Sequence, residues 1–308
     1  MQPLLTTTTT HRTLYLPHPA GETVSLLLSV DVFTRTSSKE AALARLYPDL
    51  LLSGAGKYDR QAFIQAVNQL GATLNVAIEN GQCTIHVRAT SDRFPRVLEL
   101  VHTMLSAPTF PKAEIARAQR TLGNELAAES EESAVVAARE LHRICFATRD
   151  RYYRLPLSQL RRALRTITQA DLQALHARLH SRPWTVSLTG PDAAERASSR
   201  LLNRLRQETP VTPGAKPPTL RQDYTRTLSL HDIPSRQNID FSIGLPLPLT
   251  LTDEAYTPFL FGSLVLGKPG GFAGRLMQTI RERDGYTYGI YASPEYCSKQ
   301  GTGLRRLR

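Results

Sequence analysis

The chain has 308 residues, of which 41% are apolar and 21% are charged. These proportions are typical of a globular protein with room for two domains, and they exclude a disordered chain or a fibrous repeat. The net charge is +11, but the basic residues are spread along the chain, and the densest group, at 154–165, has the pattern of an exposed helix face. We therefore predict no nucleic-acid partner.

The sequence shows neither a secretion signal nor a membrane segment. Residues 1–19 lack a basic region followed by an apolar core, and no apolar run approaches the roughly 18 residues of a membrane span. The three cysteines, Cys83, Cys145 and Cys297, are too far apart for a disulfide framework or a thiolate zinc site. These features predict a cytoplasmic protein without a membrane span.

The first part of the chain, residues 13–207, has the pattern of an α+β domain. Runs of β-branched and apolar residues predict strands, and Asn80-Gly81 between two of them is a strong hairpin signal. The predicted strands lie at 24–33, 72–79, 83–90 and 184–190. Apolar residues at helical spacing predict helices at 39–54, broken at Pro48, and at 60–71, 93–106, 112–146, 169–180 and 192–207.

A Pro-rich segment at 208–221 predicts a linker. Its first thirteen residues, ETPVTPGAKPPTL, contain four prolines and one glycine, which neither a helix nor a central strand tolerates. After it the pattern starts again, with predicted strands at 225–233 and 237–245 and a predicted helix at 253–267. The chain therefore divides into two regions of similar design.

An internal repeat relates these two regions. Residues 50–76 align with residues 264–290 at a constant offset of 214, and both segments predict a helix, a Gly-rich loop, a helix, a glycine and a strand. The identical pairs are Leu50 and Leu264, Leu52 and Leu266, Gly56 and Gly270, Gly71 and Gly285, and Thr73 and Thr287. We predict two homologous α+β domains, the second of which, 222–308, is incomplete because it has only 87 residues.

The glycines at the start of LVLGKPGGFAGRLMQTIRERDGYTYGI, residues 264–290, do not predict a phosphate loop. Such a loop ends in Gly-Lys-Ser/Thr or joins a strand to a helix. Here Lys268 precedes the glycines, Arg275 stands where the Lys-Ser pair would be, and a helix leads into the loop.

The same segment resembles the second-domain signature of the insulinase, pitrilysin and mitochondrial processing peptidase family, the zinc peptidases with an inverted H-x-x-E-H motif. That signature has a Gly-rich turn, a Ser-Arg-Leu, an Arg-Glu helix end, and a glycine before a Tyr-containing strand. The likeness extends to SAPTFPKAEIARA before the long helix and to ITQADLQALHARLHSRPWTVSLTG. One departure is Gly274, where the family usually has Ser. The resemblance implies two insulinase-like domains with antiparallel-rich sheets packed against helices.

The resemblance also implies a pair of substrate-binding residues. In the family, the Arg of the Arg-Glu helix end and a Tyr seven residues later bind the substrate backbone, and these map onto Arg281 and Tyr288. A guanidinium and a phenol can donate to a carbonyl that gains negative charge as it becomes tetrahedral. The alternative is that Arg281 pairs with Asp284 or Glu282 on the surface while Tyr288 packs in the sheet.

The zinc motif of the family is not present at the aligned position. There the chain reads Arg45-Leu46-Tyr47-Pro48-Asp49, without either histidine and with a proline in place of the catalytic Glu. Pro48 should also break the helix that would present the ligands. Only Glu125, 76 residues after Asp49, stands where the family's third zinc ligand is expected. We predict no catalytic residue, no metal and no cofactor in this chain.

Other candidate groups have simpler interpretations. His176 and His180 share a helix face and could approach a metal, but no Glu accompanies them. The serines and cysteines lack a nucleophile setting such as G-x-S-x-G. The remaining candidates are expected on the solvated surface or in the core: Glu125, Glu129, Glu132, His86 and His102.

These observations predict a non-catalytic subunit that binds a peptide substrate for a zinc-bearing partner of the same family and is inactive alone. Two alternatives stay open. The chain could be a non-proteolytic scaffold that resembles the core subunits of respiratory complexes. It could also be a truncated remnant of a peptidase, since the second domain looks incomplete.

Overall fold

A computed structural model describes residues 4–7, 11–32, 37–79, 81–148, 152–208, 226–233, 236–247, 249, 253–267, 273–295 and 303–307. The fold is α+β. Contacts between Cα atoms divide the chain into unit 1, residues 1–124 and 159–217, and unit 2, residues 125–158 and 218–308. The domain bounds 13–207 and 222–308 stay predictions, and the predicted linker 208–221 lies outside the described residues from 209 onwards.

The strands of unit 1 form one mixed sheet and one short hairpin. They are β1 (Leu4–Thr7), β2 (His11–Pro17), β3 (Thr23–Asp31), β4 (Gly54–Ala55), β5 (Tyr58–Asp59), β6 (Thr73–Glu79), β7 (Gln82–Thr90) and β8 (Trp184–Gly190). The order in the six-stranded sheet is β1-β2-β8-β3-β7-β6, in which only β2 and β8 run parallel. β4 and β5 pair separately.

The predicted hairpin between β6 and β7 is confirmed. Glu79 pairs with Gln82, and Gly81 has a φ of 77°, which a glycine adopts without steric cost. Asn80 lies outside the described residues.

The core of unit 1 lies on one face of this sheet. Val24, Leu26, Leu28 and Val30 alternate along β3 with more exposed residues and are at most 2% exposed. Cross-strand neighbours on β7 and β8, such as Ile85 and Val186, continue the same apolar face. Burial of each such side chain stabilises the fold by roughly 1.5–3 kcal/mol.

The helices follow in chain order. They are α1 (Ser38–Leu51), α2 (Arg60–Gln69), α3 (Phe94–Ser106), α4 (Lys112–Glu131), α5 (Ser133–Cys145), α6 (Leu157–Leu164), α7 (Gln169–His180), α8 (Asp192–Glu208) and α9 (Tyr256–Gly267). In the described part of the chain, none of them is long and apolar enough to cross a membrane. The cytoplasmic location stays a prediction.

The predicted break at Pro48 is wrong, because α1 runs through the proline to Leu51. A capping box between Ser37 and Glu40 fixes the start of the helix. Leu46 and Tyr47 before the proline and Leu50 and Leu51 after it are all buried. Their burial offsets the roughly 3 kcal/mol that a proline costs inside a helix.

The predicted helix 112–146 is interrupted at one residue. Glu132, between α4 and α5, has extended backbone angles, φ −89° and ψ 109°. Glu129, Glu131 and Glu132 place negative charge at the carbonyl end of α4, where the helix dipole disfavours it. This repulsion favours the end of the first helix at Glu131.

Unit 2 contains a second, smaller sheet. β9 (Ile243–Leu247), β10 (Ala292–Glu295) and β11 (Gly303–Leu307) are antiparallel in the order β10-β11-β9. A π-helix covers Met277–Arg283. Leu141, Phe146 and Tyr152 form a small apolar cluster in the part of unit 2 that comes from residues 125–158.

The strands predicted at 225–233 and 237–245 are largely wrong for the described residues. Residues 226–233 form no strand, and of 237–245 only 243–245 belong to β9. Leu228 and Leu230 are 81% and 84% exposed, so the apolar pattern of the first segment is not buried. A strand needs a neighbouring strand and an apolar surface to cover it, and this segment has neither in the described structure.

The two units share a topology. The order β3-β7-β6 in unit 1 matches β9-β11-β10 in unit 2, and α1 packs on β6 as α9 packs on β10. The equivalent residues Gly71 and Gly285 both have a left-handed conformation after a helix, with φ of 62° and 68°. These features support the predicted repeat, whereas the incompleteness of the second domain stays a prediction.

Two described cysteines are shielded from solvent. Burial raises the pKa of Cys83, on β7 in unit 1, to about 12. Burial also raises the pKa of the half-buried Cys145, at the end of α5 in unit 2, to about 11. Cys297 lies outside the described residues.

Candidate functional site

The segment Arg45–Asp49 lies on the last turns of α1. Tyr47 is 1% exposed, and its hydroxyl lies 2.8 Å from Nδ1 of His176 on α7. Nε2 of His176 lies 2.9 Å from the carbonyl oxygen of Leu105, so this nitrogen donates and Nδ1 accepts from Tyr47. Burial raises the pKa of Tyr47 and lowers that of His176, whose bond to Leu105 opposes the change only in part.

Asp49 belongs to a cluster of four charged residues, the charge quartet, formed by Asp49, Arg60, Glu114 and Arg117. The Asp49 carboxylate lies 2.8 Å from Arg60 and 2.6 Å from Arg117. Glu114 lies 2.6 Å and 2.9 Å from the same two guanidinium groups. Arg60 also donates to the backbone carbonyl of Asp49. The quartet balances two negative and two positive charges at the end of α1.

The contacts of the quartet shift the pKa values of Glu114 and Arg117. Burial raises the pKa of Glu114, but hydrogen bonds from Arg117 and Arg60 outweigh burial and hold this pKa below its ordinary value. The hydrogen bond to Glu114 raises the pKa of Arg117. The contacts between Glu114 and the two guanidinium groups therefore favour the charged forms of Glu114 and Arg117.

These residues do not fit a zinc ion. A hydrolytic zinc site needs neutral imidazoles, a carboxylate and an open position beside a general base. Position 45 holds a cation, position 48 holds a proline, and the Asp49 carboxylate is bound to two guanidinium groups. Over the described ranges, no three His, Cys, Asp or Glu side chains are grouped so that they could hold a metal.

The other candidate ligands also have structural surroundings. Glu125 is exposed on α4. Both ring nitrogens of His176 are used by Tyr47 and Leu105, which leaves none for a metal. His180 is buried with its ring centroid 5.7 Å from that of His176. His86 bonds to Ser25 across the sheet.

Arg281 and Tyr288 come together in unit 2. Arg281 lies in the π-helix, and its guanidinium carbon is 4.6 Å from the centre of the Tyr288 ring, which is the geometry of a cation–π contact. Tyr288 is 87% exposed, so the ring is open to solvent. Of the surface alternative, the packing of Tyr288 in the sheet is not observed, and Asp284 lies 2.7 Å from Arg283.

Backbone contacts hold the segment that carries this pair. The N–H groups of Asp284, Gly285 and Tyr286 bind carbonyls of the π-helix, and Gly285 supplies the left-handed residue that turns the chain. π-helical turns are rare and occur frequently at functional sites. The strand predicted through Tyr288 begins only at Ala292, and residues 286–291 belong to no strand.

Thr287 is a supporting residue that the sequence interpretation missed. Its hydroxyl donates to the carbonyl of Gly289 at 3.0 Å and accepts from the N–H of Gly289 at 3.2 Å. This clip closes the backbone around Tyr288. Beyond it, the N–H of Ile290 lies 3.4 Å from Sδ of Met277 in the core. The one signal in the sequence that pointed to Thr287 was its identity with Thr73 in the internal repeat.

Gly274 has a packing role. A Cβ atom on Gly274 would lie 2.6 Å from Cα of Gly267, so the backbone before the π-helix passes too close to the end of α9 for any side chain. This contact explains why the chain has glycine where Ser was expected. The Gly-rich turn itself, at 268–272, lies outside the described residues.

Comparisons with known proteins agree with this architecture. The model of the insulinase family (peptidase family M16) matches residues 12–155, and the model of the peptidase M16 inactive domain matches residues 166–304. No curated protein matches the chain.

Several solved structures share the fold. A peptidase M16 inactive domain from Pseudomonas fluorescens has a TM-score of 0.80 at 20% identity, over 100% of this chain and 74% of its own. A protease from Helicobacter pylori has a TM-score of 0.79 at 11% identity, over 99% and 74%. The periplasmic protease PqqL from Escherichia coli has a TM-score of 0.71 at 16% identity, over 96% of this chain and 32% of its own.

Proposed function

Because the chain belongs to the insulinase family (peptidase family M16), we propose that it is a non-catalytic subunit that binds a peptide substrate for a zinc-bearing family member. The observation that carries the proposal is a contrast within the chain. At the position of the zinc motif, the side chains bind one another, whereas Arg281 and Tyr288 meet on an open surface. The chain itself holds no zinc and hydrolyses no peptide.

Arg281 and Tyr288 have the chemistry for binding a peptide backbone. The guanidinium offers several N–H donors and the phenol one O–H donor, and both suit a carbonyl oxygen. The cation–π contact limits the movement of the guanidinium, so less conformational entropy is lost when a peptide binds. In this function the pair positions the substrate, and the zinc-bearing partner supplies the hydrolytic centre.

The experiment mixes the purified chain with a family member that carries an intact H-x-x-E-H motif, ideally one encoded beside its gene. We expect peptide hydrolysis by the mixture and none by this chain alone. Arg281→Ala and Tyr288→Phe should each lower kcat/KM of the mixture by about tenfold to hundredfold, because each removes a donor to the substrate.

Arg283→Ala is the matched control, since this neighbouring arginine pairs with Asp284 and should leave the rate unchanged. Full activity of both site variants would contradict the role of the pair. A complex that forms but cleaves nothing would favour the scaffold function. Stoichiometric zinc on the purified chain, measured by metal analysis, would contradict the absence of a metal centre.

A further inference from the structure

His176 on α7 is a half-buried imidazole that connects three helices of unit 1. Its Nδ1 atom accepts from the Tyr47 hydroxyl of α1, and its Nε2–H donates to the Leu105 carbonyl of α3. Leu105 lies in the last turn of α3, where the carbonyls have no partner inside the helix. One neutral ring therefore joins α7 to both neighbouring helices.

The bond between Tyr47 and His176 requires one arrangement of protons. The hydroxyl proton lies between the two heavy atoms only while Nδ1 carries no proton. If Nδ1 binds a proton, two hydrogens meet across 2.8 Å, and the hydroxyl must rotate in order to accept. Its own proton then points into the surroundings of a side chain that is 1% exposed, and an unsatisfied buried donor destabilises the closed structure.

The other groups on α1 and β7 do little to stabilise a charged ring. On β7, the titratable neighbour of Tyr47 is Cys83, whose sulfur is only a weak acceptor. On α1, Arg45 is exposed and Asp49 is bound to the two arginines of the charge quartet. Neither helix α1 nor strand β7 thus brings an available carboxylate to the ring in the described structure.

The groups on α3 and α7 have partners of their own. On α3, His102 lies 3.4 Å from Arg204 of α8. On α7, the His180 ring centroid is 5.7 Å from that of His176, and a second imidazole cannot neutralise a cation. The ion pairs between α1 and α7 are closed within themselves: Lys39 with Asp171, and Arg178 with Glu40. In agreement, burial lowers the pKa of His176, and the bond to Leu105 opposes this only in part.

A strained residue packs against the same pair. Phe110 is fully buried and has a φ of 44°, in the left-handed region that residues with a Cβ atom rarely adopt. Its ring centroid lies 6.0 Å from that of Tyr47 and 6.1 Å from that of His176. Strained backbone persists only where the surrounding contacts hold it. The segment around Phe110 should therefore relax when the contact between Tyr47 and His176 opens.

We propose that Tyr47 and His176 form a proton-operated latch in unit 1, the α7 latch, which is closed with a neutral ring and opens when one proton from solvent binds Nδ1. Opening separates α7 from α1 and releases the segment around Phe110. The step takes up one proton and changes no covalent bond between heavy atoms. The proposal does not depend on the peptide-binding function.

The latch should respond to mild acid. The open ring has the ordinary pKa of 6.5, and the closed ring has a lower one, so the closed state is fully stable above pH 6.5 and loses stability as the pH falls below it. The loss ends below the pKa of the closed ring, because both states then carry the proton. Since the ordinary pKa of Glu114 is 4.5, the range from pH 7.5 to 5.0 largely separates the latch from the charge quartet.

Hydrogen–deuterium exchange of the full chain, read by mass spectrometry, tests the proposal between pH 7.5 and pH 5.0. After correction for the intrinsic effect of pH, peptides from α7 and from residues 107–111 should exchange severalfold faster at pH 5.0. The ceiling is about thirtyfold, which follows from the 1.5 pH units between pH 5.0 and the ordinary pKa of the open ring.

Three variants identify the residue that takes up the proton. His176→Gln keeps a donor for Leu105 but cannot titrate, so the corrected exchange of α7 should be equal at both pH values. His180→Gln removes the neighbouring imidazole and should keep the pH dependence. His86→Gln is the matched surface control, because His86 is exposed on β7, and it should also keep that dependence.

A second measurement uses the ring itself. The ¹⁵N chemical shifts of His176, assigned by their loss in His176→Gln, should show the neutral Nε2–H tautomer at pH 7.5 and a pKa below 6.5. Tyr47→Phe should raise that pKa, because the hydroxyl that donates to Nδ1 stabilises the neutral ring. A purely structural role of the tyrosine would not change the titration of the histidine.

Equal corrected exchange of α7 at pH 7.5 and pH 5.0 in the wild type would overturn the proposal. So would a pH dependence that persists in His176→Gln or disappears in His180→Gln. If His176→Gln does not fold, the titration of the wild type decides, and a His176 pKa at or above 6.5 in the folded chain would refute the latch.

Discussion

The segment 45–49, aligned with the zinc motif, and the segment 281–288, proposed to bind a peptide, have opposite surroundings. Side chains of the first bind neighbours in unit 1, through the Tyr47–His176 bond and the charge quartet. In the second, backbone bonds and the Thr287 clip hold the chain, so the Tyr288 ring is left open. A side chain that completes its own fold is not available to a ligand, whereas one supported through its backbone is.

The largest expected effect is in the first segment. Tyr47→Ala should lower the free energy of unfolding of unit 1 by about 3–5 kcal/mol, because it opens a cavity at a fully buried aromatic site. Tyr47→Phe is the control and should cost about 1–2 kcal/mol, the loss of the bond to His176. Urea unfolding can be followed by the fluorescence of Trp184, the single tryptophan, which lies in unit 1. Equal stability of both variants would show that the site is not packed as described.

Gly274→Ala tests the support of the second segment. The new methyl group would meet the backbone of Gly267, so the free energy of unfolding of unit 2 should fall by about 1–3 kcal/mol. Gly262→Ala is the control in α9, where a Cβ atom meets nothing within 4 Å, and it should stabilise the helix by about 0.5–1 kcal/mol. Unfolding by circular dichroism measures both. A tolerated alanine at 274 would contradict the close backbone crossing.

The charge quartet should make unit 1 sensitive to acid. The pKa of Glu114 is lower in the folded chain than its ordinary value of 4.5, so its stabilising contribution is complete above that pH and is lost as the pH falls through the folded pKa. Glu114→Gln should flatten this dependence.

Arg60→Ala should cost about 1 kcal/mol at neutral pH, a modest value because the pairs are partly exposed. Trp184 fluorescence in urea at several pH values measures both effects. If the wild type and Glu114→Gln lose stability in parallel below pH 4.5, the quartet does not contribute as described.

The smallest effect should come from the exposed pair. Tyr288→Ala should change the free energy of unfolding by less than about 0.5 kcal/mol, because 87% of the ring is in solvent. The same variant should lower peptide binding in the mixture with the partner. A large loss of stability would mean that Tyr288 serves the fold, and the contrast between the two segments would disappear.

Much of the architecture could be predicted from local signals. The alternating residues of β3, the Asn80-Gly81 turn and the capping residues of the helices act over a few positions, so they can be read from the sequence. The repeat at an offset of 214 predicted that Gly71 and Gly285 would serve the same purpose, and both are left-handed. The family resemblance could likewise be recognised from the segment 264–290, because its motif is continuous in the sequence.

The errors concern features that depend on distant contacts. Pro48 stays in α1 because buried neighbours on both sides outweigh a local preference, and residues 226–233 form no strand because no neighbour covers them. The charge quartet joins residues from three parts of unit 1, so no short sequence motif predicts it. Arg281 and Tyr288 were chosen from the family resemblance, whereas their contact with each other and the Thr287 clip required the structure.

The two shielded thiols, one in each unit, allow the local unfolding of unit 1 and of unit 2 to be measured separately. Alkylating reagents attack the thiolate, so the raised pKa values of Cys83 and Cys145 slow labelling while unit 1 and unit 2 are closed. When a unit opens, its cysteine regains an ordinary pKa and reacts. In a Cys297→Ser background, mass spectrometry of the labelled peptides would time the two openings separately, in one sample and without an added probe.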